Sequence, residues 1–120
     1  MTEGRIIKIV VEDRAAVVSF LIPSVSGVNE IDDAADLLRE YVEKNKPKAL
    51  VVDFADVKFF SSQVLGMLVD IWRRMHEYDG RILICGITPE LSRVFKITNL
   101  DRIFQFYEDK AAAMDVLGTK

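Results

Sequence analysis

The chain has 120 residues, half of them hydrophobic and 29% charged, with a formal net charge of −3. That length can bury one sizeable core, and the composition is that of a folded chain rather than a disordered one. Its longest basic run is the pair Arg73–Arg74, whereas nucleic acid is held by a patch of Lys and Arg that displaces phosphate counterions, so no nucleic-acid partner is expected.

The opening stretch, MTEGRIIKIVVEDR, has no basic segment followed by a long apolar one, so no secretory signal is visible. No apolar run approaches the ~20 residues of a membrane span. Cytoplasmic location without membrane insertion is therefore expected. RIIKIVVED (5–13) and AAVVSFLI (15–22) are β-branched runs that partly alternate, and the polar pair at 13–14 suits a tight hairpin between them. Pro23 and Gly27 break the pattern, so PSVSGVN reads as a loop.

From Asn29 the period becomes helical. Ile31, Ala34, Ala35, Leu38, Tyr41 and Val42 share one side, and Asp32, Asp33, Glu40 and Lys44 lie on the other. The Lys46–Pro47–Lys48 stretch ends this helix. ALVVDF (49–54) is a continuous apolar run, the pattern of a strand buried on both faces. A second helix opens at Ser61 and Ser62, with Val64, Leu68, Ile71, Trp72 and Met75 along its inner stripe, and Asp79–Gly80 supplies its stop.

RILICG (81–86) is another buried strand. Thr88–Pro89–Glu90 then starts a helix, with proline at the first helical position. RIFQFY (102–107) alternates like a strand near an edge, and a terminal helix follows from 108 to 117. The order is β-β-α-β-α-β-α-β-α, and strands separated by helices require crossovers and a mostly parallel sheet. A single α/β domain over residues 1–120 is expected.

Little in the sequence points to catalysis. His76 is the only histidine and sits near a helix end among charged neighbours, where a solvated side chain is the ordinary explanation. Without a second histidine or a thiolate partner, no metal site is expected. Neither a GxSxG elbow, a GxxxxGK[ST] loop nor a GxGxxG fingerprint occurs, so no cofactor is expected. Cys85, the only cysteine, excludes an internal disulfide and reads as a buried inert thiol in an apolar strand. Gly66 stands inside a helix, where glycine costs about 1 kcal/mol against alanine, and close packing on the sheet is the expected reason.

VKFFSSQVLGML (57–68) places two hydroxyls between a strand and a helix. Serine before an apolar helical run is a common N-cap, and capping explains one of the two. The longer segment LVVDFADVKFFSSQVLGMLVDIWRRM resembles the central strand-loop-helix of STAS domains, the family of anti-sigma factor antagonists. GRILICGITPELSRVFKITNL and DRIFQFYEDKAAAM are similar to the family's later elements, so the resemblance covers nearly the whole chain.

The resemblance implies a STAS-like fold with a mixed, mostly parallel sheet. The family's loop usually reads Asp-Ser-(Ser/Thr/Ala)-Gly-Leu-Gly, with the first serine phosphorylated. Aligning Leu65–Gly66 with its Leu-Gly puts Ser62 at the phosphoacceptor position, with Ser61 as the alternative. Ser61 then replaces the aspartate, Gln63 a small residue and Val64 the first glycine.

Carried over, the family's role is that of an antagonist binding a serine-kinase anti-sigma factor and released from it by phosphorylation. Asp56, Ser61, Ser62, Gln63, Val64 and Asn29 are the expected partner contacts, and a monomer or weak dimer is expected. The departures favour a second possibility, a STAS interaction domain that is not phosphorylated, in a signalling scaffold or as the cytosolic subunit of a lipid transporter. A nucleotide or small-ligand module is a third, and an enzyme comes last.

Overall fold

The computed structural model describes residues 2–13 and 15–118. β1 (Thr2–Glu3), β2 (Ile7–Glu12) and β3 (Ala15–Phe20) form an antiparallel edge to the sheet. Glu12 faces Ala15 across β2 and β3, so two residues make the connection, and Asp13 takes φ 52° as a tight hairpin turn requires. Arg14, the other half of that predicted turn, lies outside the described residues.

After the short β4 (Ser24–Val25), α1 (Val28–Asn45) crosses to β5 (Ala49–Asp53). β6 (Phe59–Phe60) and α2 (Ser62–His76) lead to β7 (Arg81–Cys85), and α3 (Pro89–Ile97) leads to β8 (Gln105–Tyr107) and α4 (Lys110–Gly118). The main sheet runs β1-β2-β3-β5-β7-β8, with the β3–β5, β5–β7 and β7–β8 pairs parallel. The α/β order read from the sequence is thus present, with three two-residue strands added.

Alternation along the strands divides the core between the two faces of the sheet. Ala16, Val18, Leu50, Val52, Ile82 and Ile84 pack with the inner stripes of α1, α2 and α3. Ala15, Val17, Ala49, Val51, Leu83 and Cys85 face the other way and meet Ala113, Met114 and Leu117 of α4. Three helices therefore cover one face and one covers the other. The continuous apolar runs at 49–54 and 81–86 follow from this double burial.

Three local expectations change. The strand expected over 102–107 shrinks to Gln105–Tyr107, because Asn99 enters the left-handed region (φ 63°) and a 3₁₀ turn occupies Leu100–Arg102. At the end of α2, Asp79 takes the left-handed conformation (φ 65°) rather than Gly80. Gly80 instead packs against side chains, since a Cβ there would sit 2.8 Å from Met75 Cε and 3.0 Å from the Tyr78 ring, both of which would have to shift. Gly66 does not pack closely on the sheet. A Cβ at that exposed position would meet nothing within 4 Å.

Candidate functional site

The serine pair stands where β5 has ended and α2 begins, and backbone hydrogen bonds fasten the loop that carries it. Phe54 N–H donates to the Cys85 carbonyl (2.9 Å), and Val57 N–H donates to the Phe54 carbonyl (2.9 Å). Lys58 and Phe59 N–H both reach the Pro23 carbonyl, at 2.8 and 3.2 Å. β6 then pairs in parallel with β4, and Ser61 N–H donates to the Val25 carbonyl at 3.0 Å. The Ser24–Val25 strand is thereby held beside the serines.

Alternation in β6 turns Phe59 outward, 52% exposed, and Phe60 inward. The Phe60 ring lies 5.5 Å from Phe54 and meets Phe95 edge-on at 5.9 Å, anchoring the loop in the core.

The two hydroxyls have different surroundings. Ser61 occupies the N-cap position with extended backbone, and its carbonyl accepts from Val64 N–H at 3.0 Å. Its side chain makes no cap hydrogen bond, contrary to the usual function of serine at this position. The Ser61 Oγ is buried and has no hydrogen-bond partner among the described residues. Ser62, the first residue of α2, is exposed. The free N–H groups and positive dipole end of a helix start favour negative charge at such a position.

The other expected contact residues separate into surface and core. Asp56 is exposed upstream in the same loop, and Asn29 is exposed in the first turn of α1. Val64 is a correction: it is fully buried with Leu68, Ile71 and Met75 and offers nothing to a partner. Its place on the apolar stripe of α2 explains why. Gln63 reaches sideways, its Nε2 donating to the Asp32 carboxylate (2.9 Å) and the Val28 carbonyl (3.2 Å), both on α1. Asp32, Val28 and Phe59 were not singled out in the sequence. The adjacency of Phe59 and Phe60 ahead of the serines was the one signal available for an outward aromatic.

Below Gln63 an open groove of about 360 Å³ runs between α1 and α2, lined by Ile31, Ala35, Gly66 and Met67 among others. An ionic network closes its far end. Asp70 accepts from Arg39 Nε (3.0 Å) and Arg74 Nε (3.2 Å), Arg39 also holds Asp36 (2.7 Å), and Arg74 also holds Glu43. Burial opposes the charged form of Asp70, but the Arg39 and Arg74 hydrogen bonds outweigh it and keep the carboxyl below its ordinary range.

Away from this region, burial, reinforced by nearby Asp53, pushes the Cys85 thiol up to about 12, so it is protonated at neutral pH. His76 is exposed at the end of α2 and stacks on Trp72, with ring centroids 4.9 Å apart. Among the described residues, no group of three or more His, Cys, Asp and Glu is placed to hold a metal ion. No helix among them is long and apolar enough to cross a membrane.

A six-stranded mixed sheet with three helices on one face and one on the other is a fold shared with known proteins. The STAS domain model matches residues 5–113, and the chain belongs to that family. A candidate anti-sigma factor antagonist of Thermotoga neapolitana is 32% identical over 76 residues, which span 63% of this chain and 66% of that relative's length. Another, from Thermotoga maritima, is 30% identical over 81 residues, or 68% of this chain and 71% of the relative.

The structure of an anti-sigma-factor antagonist (STAS) domain protein from Planctomyces limnophilus superposes with a TM-score of 0.83 at 23% identity, covering 93% of this chain and 97% of that one. The anti-sigma factor antagonist SpoIIAA in its unphosphorylated form gives 0.78 at 13% identity, covering 95% and 99%. At these identities the structures speak for the fold alone.

Proposed function

We propose that this protein is an anti-sigma factor antagonist that binds a serine-kinase anti-sigma factor and is switched off when Ser62 is phosphorylated. The observation that carries this reading is the contrast between the two hydroxyls. Ser62, at the family's acceptor position, is exposed at a helix start, whereas the Ser61 oxygen is buried. A kinase can reach the first and not the second.

A phosphate adds roughly −1.5 to −2 charges at neutral pH, and the helix terminus accommodates it, so the domain stays folded. A docked partner, by contrast, must desolvate the dianion. A penalty of ~3 kcal/mol there weakens binding about a hundredfold. The partner brings the nucleotide and the base, and this chain supplies only the acceptor and the docking surface around it, with Asp56, Asn29 and Phe59 exposed nearby. The test is incubation with ATP and the serine-kinase anti-sigma factor from the same organism, followed by phosphate mapping by mass spectrometry. Phosphate on Ser62 is the expected result, and its absence from residues 61–62 removes the switch.

A second reading, a STAS interaction domain that is never phosphorylated, draws on Gln63. Where the family has a small residue, this chain has a long side chain committed to α1. The substitution Ser62→Asp separates the two readings. Under the switch it abolishes binding to the anti-sigma factor, and in a constitutive scaffold or transporter subunit it leaves partner binding nearly unchanged.

A further inference from the structure

α1 begins without a side-chain cap, its core anchor Ile31 coming only at the fourth residue. Its N-cap is Gly27, which makes no side-chain cap bond, and its first two residues, Val28 and Asn29, are exposed. Exposed helix starts fray unless something ties them down. Here the tie comes from the other helix. A primary amide has two hydrogens, and Gln63 gives one to the Val28 carbonyl and the other to the Asp32 carboxylate.

Further along, the groove separates the helices, and Gly66 contributes no side chain to bridge it. The next polar link across the pair is Arg39 to Asp70. Gln63 is thus the polar fastening at the end of α1 that lies beside the serines, and it adjoins Ser62 in the chain.

We propose that Gln63 is a positioning residue for partner recognition. It holds the first turn of α1, with Val28 and Asn29, in a fixed relation to Ser62, so that the anti-sigma factor meets both helix starts as one surface. This rests on the function proposed above. Gln63 is only half-buried, so its two hydrogen bonds add little to global stability. Their effect is on alignment, and a rigid, prearranged surface binds more tightly than one that must be ordered on contact.

The experiment uses the whole unphosphorylated protein and two readouts. These are affinity for a purified serine-kinase anti-sigma factor that binds the wild type, and amide hydrogen exchange at residues 28–32 in the free protein. Gln63→Ala is expected to weaken binding about tenfold and to speed exchange at 28–32, with the thermal midpoint nearly unchanged. Gln63→Glu sets a carboxylate against Asp32 and weakens binding further.

Adding Asp32→Asn to Gln63→Glu restores a donor opposite an acceptor at the Asp32 position but not the bond to the Val28 carbonyl, and should recover part of the loss. A role confined to fold stability would instead lower the thermal midpoint of Gln63→Ala. Wild-type binding by Gln63→Ala, or no recovery in the double variant, overturns the proposal. Unchanged exchange at 28–32 in Gln63→Ala overturns it without reference to any partner. If no serine-kinase anti-sigma factor binds the wild type, the function reading fails, and the exchange measurement still decides whether Gln63 holds α1.

Discussion

Ser61 and Gly66 each depart from the usual behaviour of their residue type, and each departure predicts a measurable sign. Replacing an N-cap serine by alanine ordinarily costs about 1 kcal/mol, because a helix N–H loses its acceptor. The Ser61 hydroxyl caps nothing and is buried without a partner. Ser61→Ala should therefore leave stability unchanged or raise it by roughly 1 kcal/mol, by relieving an unsatisfied polar group. A loss of about 1 kcal/mol in urea denaturation would show that the hydroxyl does cap the helix in solution. Gly66→Ala meets no steric obstacle and removes a helix-interior glycine. It should stabilise the fold by about 1 kcal/mol, and a destabilised Gly66→Ala would mean that the groove is closed in solution.

At the level of elements, the long periodic segments were legible in the sequence and the short ones were not. The stripe Ile31, Ala34, Ala35, Leu38 and Val42 is buried as its spacing implies, and the apolar runs at 49–54 and 81–86 lie between two layers. The two-residue pairings of Ser24–Val25 with Phe59–Phe60 carry no period, so nothing along the chain distinguished them from loop. Family alignment placed Val64 at the surface while its helical position placed it in the core, and the helix decided the matter. The helix start that carries the serine pair was legible in the sequence. The bond from Gln63 to Asp32 was not, because it joins residues far apart in sequence that only the packed fold brings together.

A chain of rings runs from β3 through the serine loop to α3 and β8. Phe20 stacks on Phe54 at 5.1 Å, Phe54 meets Phe60, and Phe60 meets Phe95, which also contacts Phe106 edge-on at 5.1 Å. Phe54 is fully buried within that chain. Phe54→Ala should cost about 3–5 kcal/mol in chemical denaturation, and a loss below about 1 kcal/mol would mean that the loop is not anchored through this ring.

For the whole molecule, the Arg39–Asp70–Arg74 network connects α1 to α2 and makes stability depend on pH. The Asp70 carboxyl is held below its ordinary value of 3.8 in the folded state. Its stabilising effect is fully present above that value and is lost as pH falls through the lower, folded one. Asp70→Asn should be less stable than the wild type at neutral pH, with the gap narrowing as pH falls below 3.8. Equal urea midpoints at neutral pH would show that the network contributes nothing.

The backbone ties to Pro23 and Val25 and the ring contacts of Phe60 have a consequence for how the kinase proposed to act at residue 62 would have to find it. There is no loose strand to thread into a cleft, so recognition must read a shape assembled from distant parts of the chain. A synthetic peptide of residues 57–68 should then be a poor substrate for a kinase that modifies the intact protein readily.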